Sequence, residues 1–248
     1  MAALRNLPLF VLPMTLCPGE VTRLRVFEPR YKQMLDSCLL DERPFGLVLA
    51  DPFNPVRGWD GPRRVGTLAH IEHHTEVGSN HMIVIRGGDR FEVTDVHEPA
   101  LPPFEDPVMA DLVPEGAVFP SLEVLLERAE DLGRGDLPLY ISAEVRLLPT
   151  PSPEPEHLER LETVLRDALL DLGEALGVEE STSRPWVEAR LEELVGEGNE
   201  AIFLASAMVL PDLETRQRVL ASGDCDEMLL ELEQGLAEVR AAFGQDQA

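Results

Sequence analysis

The sequence predicts an α+β protein: a β-domain wrapped on one helix over residues 1–150, followed by an α-helical bundle over 151–248. Three observations carry this reading. Apolar residues alternate, or fall in short β-branched runs, through most of the first hundred positions, and recur with helical period from about residue 155 onward. A proline-rich run, PTPSPEPE at 149–156, stands at the change and favours stiff, extended backbone. Charge is also uneven: residues 1–100 hold 11 basic and 13 acidic side chains, whereas 101–248 hold 10 and 33, within a net charge of -25.

The opening stretch NLPLFVLPMTLCPG (6–19) has the apolar run and terminal cysteine of an export signal. Pro8 and Pro13 would interrupt the apolar helix such a signal needs, and Leu16 is bulky where a cleavage site before Cys17 wants a small residue. It is expected instead to be the first strand, with prolines at its ends and bends. Strands are expected at 20–26, 45–50, 65–77, 81–87 and 90–96, with GSN after Val77 as a hairpin signal. One helix interrupts them. In FEPRYKQMLDSCLLDE, Pro29 suits a first turn, and Tyr31, Met34, Leu35, Cys38 and Leu39 form one apolar stripe. A further helix is expected at 120–132. The bundle helices are expected at 155–176, 185–196, 199–209, 212–221 and 224–242, with Gly177 and Gly223 near ends and Pro185 and Pro211 near starts.

Composition narrows the function. Three well-separated cysteines (Cys17, Cys38, Cys225) make neither a disulfide framework nor a metal knuckle, which implies a reducing, cytoplasmic setting. No run of about 18 apolar residues exists, so no membrane partner is expected. An acidic second half repels phosphate, so nucleic acid is not an expected partner either. Lys32 is the only lysine and no glycine precedes it, which excludes both a GxxxxGK[ST] phosphate loop and a serine–lysine dyad. No GxSxG elbow is present. We expect no cofactor.

The histidine-rich stretch HIEHHTEVGSNH (70–81) has the residue types of a metal site. On a regular strand His70, Glu72 and His74 share a face at about 6.6 Å per two residues, leaving the outer pair roughly 13 Å apart, too far for one zinc. A polar hairpin face is expected, although His70 with Glu72 and a residue of another strand stays open. Phe53 and Trp59, in the Pro/Gly-rich loop DPFNPVRGWDG, are either lids on the core or exposed peptide-binding anchors.

LPLFVLPMTLCPGEVTRLRVFEPRY, FGLVLADP, VGTLAHIEHH, IVIRGGDRFEV and ISAEVRLLP, in that order, resemble the amino-terminal, substrate-recognising domain of the Lon proteases. The most specific piece is Phe27-Glu28-Pro29-Arg30-Tyr31, expected to be structural; LPDLETRQRVL (210–220) is similar to a helix of that domain. The resemblance implies a PUA-like pseudo-barrel of strands around one helix, then a helical bundle, with Cys17 an ordinary buried residue. The chain departs from the family pattern in an insertion at about 101–137 and in CDEMLLEL, where an arginine usual after the acidic residues is missing. By implication this is a stand-alone member without ATPase or peptidase domains, a non-catalytic module that binds unfolded polypeptide or a specific protein client. The rival reading is a PUA-like RNA- or small-ligand-binding protein, which would need Arg57, Arg63 and Arg64 to form a local basic patch.

Overall fold

A computed structural model describes residues 3–112 and 119–245; residues 113–118 of the insertion lie outside the described residues. By its internal contacts the chain divides into two units, Met1–Leu16 with Val21–Leu148, and Cys17–Glu20 with Pro149–Ala248.

Among the described residues the first unit contains six strands and two α-helices. The strands are β1 (Ala3–Leu12), β2 (Val21–Val26), β3 (Phe45–Val56), β4 (Trp59–Val77), β5 (Asn80–His97) and β6 (Ser142–Leu147); α1 spans Pro29–Leu40 and α2 Leu122–Asp131. The sheet order is β2-β5-β4-β3-β1-β6, and β6 also pairs with β5, so five strands close a ring of hydrogen bonds and β2 flanks it. Among the described residues only β1 and β3 pair in parallel, Leu9 opposite Gly46 through Leu12 opposite Leu49. Parallel neighbours need a crossover connection, and β2 with α1 supplies it.

Two apolar clusters hold this unit. The stripe of α1 is as expected: Tyr31, Met34, Leu35 and Cys38 are buried together with Phe10, Phe45, Leu47, Ile83 and Ile85. The Tyr31 hydroxyl donates to the Val11 carbonyl at 2.9 Å, and burial pushes its pKa up to about 12. The second cluster draws Leu7, Val48, Leu68, Phe91 and Val145 from each of the five ring strands. The Phe91 ring reaches the backbone of two strands, since a Cβ at Gly46 or Gly66 would lie 2.6 or 2.8 Å from its Cζ. Glycine is required there by close approach.

Strands run further than the alternating pattern implies. The segments expected at 81–87 and 90–96 are one strand, because Gly88 and Asp89 form a bulge opposite Leu68 rather than a turn. The Pro/Gly-rich stretch after Ala50 is the far end of the β3–β4 hairpin: a register shift between Asp51 and Val56 takes up Pro52 and Pro55. Its turn places Arg57 and Gly58 at φ of +50° and +87°, the left-handed conformation of a primed two-residue hairpin. A second bulge falls at Glu72, between the pairs Ile71–Ile85 and His73–Val84. It turns His74 to the face of buried Ile83, opposite to exposed His70, so these two histidines do not share a face as a regular strand would require.

The described part of the insertion has its own small core of Ala100, Leu101, Met109, Leu125, Ala129 and Leu139. Ser121 caps α2 by accepting from the Val124 N–H at 3.4 Å.

The second unit holds α3 (Pro155–Ala175), α4 (Glu180–Gly196), α5 (Ala201–Val209), α6 (Leu213–Ala221) and α7 (Cys225–Gln245). Helix α4 begins before Pro185, which therefore sits inside it. The α7 residues Met228, Leu229 and Leu232 are buried, so this helix docks through apolar contacts without the arginine missing from CDEMLLEL, while Arg160 of α3 pairs bidentately with its Glu233 at 2.7 and 2.9 Å. Glu20 accepts from Arg216 at 3.0 and 3.1 Å and from the Cys17 N–H at 2.8 Å. Cys17 is fully buried, its thiol pushed up to about 11 by burial. Arg216 and buried Leu220 belong to the RQRVL piece of the resemblance.

Candidate functional site

The Phe27–Tyr31 motif, the β3–β4 turn and the insertion converge on one face of the strand-rich unit. The motif divides by side chain. Pro29 and Tyr31 are buried, whereas Phe27 is 44% exposed and Glu28 and Arg30 are half-buried. Helix α1 projects Arg30 so that its guanidinium lies 3.6 Å from the centroid of the Trp59 ring and 4.2 Å from that of Tyr31, while its Nε donates to Glu28 Oε2 at 2.9 Å. A cation held between two aromatic faces and neutralised by a carboxylate is a fixed group.

Trp59 begins β4 directly after the primed turn, which aims its indole toward the insertion. Its Nε1–H donates to the Leu101 carbonyl at 2.9 Å, and Phe104 meets it edge-on with centroids 5.9 Å apart. Phe104 contacts Phe119 at 5.5 Å, and Phe119 contacts Phe27 at 5.9 Å. Four aromatic rings thus form a continuous ladder, Trp59–Phe104–Phe119–Phe27, in the separations that favour edge and tilted contacts.

Two cavities follow the ladder. One, of about 390 Å³, lies among Val11, Leu12, Tyr31, Ala50, Trp59 and Phe104, with Glu28, Arg30, Asp60 and Glu105 as its charged groups. The other, of about 510 Å³, is bounded by Phe27, Pro29, Phe119 and Pro120, with Arg25, Lys32, Ser79 and Asn80 as its polar groups. Both are of ligand-binding size, and Phe119 lines both. The helical unit has a separate cavity of about 360 Å³ between α3, α5 and α7; its walls are Ala, Leu, Val and Met, with Asp171 paired to Arg240 at 3.0 Å.

The two aromatics singled out in sequence part company. Trp59 stands in the ladder and also packs on the ring cluster. Phe53 is 86% exposed and lines neither cavity; its N–H donates to Asp51 at 3.1 Å, and the Asn54 side chain donates to the same carboxylate at 2.8 Å. These bonds, the Asn54 amide first, hold Asp51 below the usual carboxylate range. Phe104 and Phe119 were missed by sequence reasoning, because no periodicity ties the insertion to Phe27 or Trp59.

The other candidates are engaged elsewhere. His74 and His81 stack across the β4–β5 hairpin, with Nε2 and Nδ1 2.9 Å apart, and Glu72 accepts from Arg86 at 2.5 Å. Among the described residues no three His, Cys, Asp or Glu side chains converge as metal ligands. Of the arginines an RNA patch would need, Arg57 lies 3.8 Å from Glu98 and Arg64 pairs with Glu92, which Arg146 also engages. Among the described residues no helix is long and apolar enough to cross a membrane.

The model of a family described as the ATP-dependent protease La (LON) substrate-binding domain matches residues 6–237. Among solved structures, the chain is similar to a Lon N-terminal domain protein from Xanthomonas campestris, at 22% identity over 96% of this chain and 98% of that one, with a TM-score of 0.51. It is also similar to the N-terminal domain of the Mycobacterium avium complex Lon protease, at 14% identity over 94% and 99%, with a TM-score of 0.56. At these identities the likeness concerns the fold. No curated protein sequence matches the chain.

Proposed function

The chain belongs to the Lon substrate-binding domain family, and from that membership we propose that it is a non-catalytic module that captures unfolded polypeptide along the aromatic ladder of its strand-rich unit. The observation that carries this is the ladder itself: four rings contributed by three separate segments border two open cavities. Aromatic faces and edges accept varied apolar side chains, and rings already fixed by packing lose little entropy when a chain settles on them. Glu28 and two rings hold Arg30 in place beside the groove. The cytoplasmic setting expected from its cysteines suits a receptor for non-native chains.

The test is fluorescence anisotropy with labelled casein as the unfolded probe. Phe27→Ser with Phe119→Ser should weaken binding by about tenfold or more, in line with loss of interface hot spots, whereas Phe53→Ser should leave it unchanged. The purified protein should neither hydrolyse ATP nor cut the probe. Unaltered casein binding by the double variant, with its melting temperature retained, would remove the ladder from the site.

A further inference from the structure

The two cavities differ in charge, and the difference is local. At the Trp59 end, Asp60 and Glu105 are exposed and lie in no ion pair among the described residues, while Glu28 is neutralised by Arg30. At the Phe27 end the charged groups are Arg25 and Lys32; neither meets a carboxylate within ion-pair distance among the described residues, and the Lys32 ammonium donates only to the Ser79 carbonyl. Between them stand Phe104 and Phe119, in ring steps of 5.5–5.9 Å. An extended chain rises about 3.3 Å per residue, so the ladder spans at most about five residues.

Resting on the reading above, we infer that the groove selects polypeptide segments by charge order: an apolar or aromatic centre flanked by a basic residue, which settles at Asp60 and Glu105, and by an acidic residue about five positions away, which settles at Arg25 and Lys32. Segments with the same charge on both flanks meet repulsion at one end. Rim charges contribute less to affinity than to discrimination, since a like-charge juxtaposition is penalised where a matched pair gains little. An anionic surface or a nucleic acid finds no uniform field here, because the two ends of the groove oppose each other.

The experiment uses the full chain and three labelled eight-residue peptides, capped at both ends, each with two phenylalanines at the centre. They carry Arg and Glu, Arg and Arg, or Glu and Glu on the flanks, and the mixed peptide is made in both orders because an extended chain can run either way. By anisotropy at low salt, the better mixed peptide should bind at least about fivefold more tightly than either like-charged peptide, and the advantage should vanish near 1 M salt. The variant Arg25→Glu with Lys32→Glu, both surface changes, should invert the ranking in favour of the Arg/Arg peptide. A ranking unchanged between wild type and variant overturns the inference while casein binding leaves the broader reading standing; loss of casein binding as well overturns both. A dimer by sedimentation that dissociates with Phe27→Ser would show that a second copy of this chain occupies the groove, and that too overturns it.

Discussion

The guanidinium of Arg30 lies 3.6 Å above the ring of Trp59. Helix α1 supplies the cation and the β3–β4 turn supplies the ring, so a contact across 29 positions ties the motif that most resembles the family to the edge of the candidate groove. The pair is predicted to couple. In a double-mutant cycle of Arg30→Ala and Trp59→Leu, followed by chemical denaturation, the interaction energy should be about 0.5–2 kcal/mol, as for a partly desolvated cation over an aromatic face. Strict additivity would show that the two merely lie near each other.

Leu35 is fully buried beneath the ring strands, and its neighbour Asp36 faces solvent. Leu35→Ala should therefore cost about 2–5 kcal/mol, and Asp36→Ala close to nothing. Denaturant titration of the two variants checks this; equal small losses would mean that α1 is not central to the core.

What the sequence disclosed, and what it withheld, follows from the range of each interaction. The stripe of α1 was readable because its residues are three and four apart and touch one core. Phe91 could not be foreseen as the residue that requires glycine at 46 and 66, since those contacts are set by strand pairing. The β3–β4 extension is masked by Pro52 and Pro55, which read locally as loop and are tolerated because the register shift between Asp51 and Val56 absorbs them. A regular strand would put His70 and His74 on one face, and one extra residue at Glu72 separates them. Trp59 was recognisable as an aromatic of interest, but its partners Phe104 and Phe119 lie 45 or more positions away, and only the closed topology brings them together.

Asp51 organises the hairpin beyond the ring through the Asn54 side chain and the Phe53 N–H. Because its folded pKa is lowered, its contribution is complete above the unfolded value, near 4, and is lost as pH falls through the lower folded value. Asp51→Asn should therefore melt below the wild type at pH 6, with the gap narrowing as pH drops below about 4. Melting curves by circular dichroism at pH 6 and pH 3 test this, and a gap independent of pH would show that the carboxylate charge is not what orders the hairpin.

The end of α1 carries a conformational conflict that a single substitution should relieve. Arg43 N–H donates to the Cys38 carbonyl at 3.0 Å and Glu42 N–H to the Leu39 carbonyl at 3.4 Å, the paired bonds of a Schellman cap, which need a left-handed residue between them. Helices α2 and α3 end the same way, with Gly133 at φ +68° and Gly177 at +73° in that position. At α1 the residue is Glu42, at φ +50°, exposed and with no side-chain ion pair among the described residues. A side chain in this conformation costs about 1–2 kcal/mol, and glycine gives back about 0.5–1 through its greater freedom when unfolded. Glu42→Gly should thus stabilise the strand-rich unit by about 0.5–1 kcal/mol, while Glu42→Ala, which keeps the Cβ, should gain nothing. Two melting transitions, one per unit, would sharpen the test: only the transition that reports the β-sheet should rise. Equal effects of the glycine and alanine variants would locate the strain outside the backbone of residue 42.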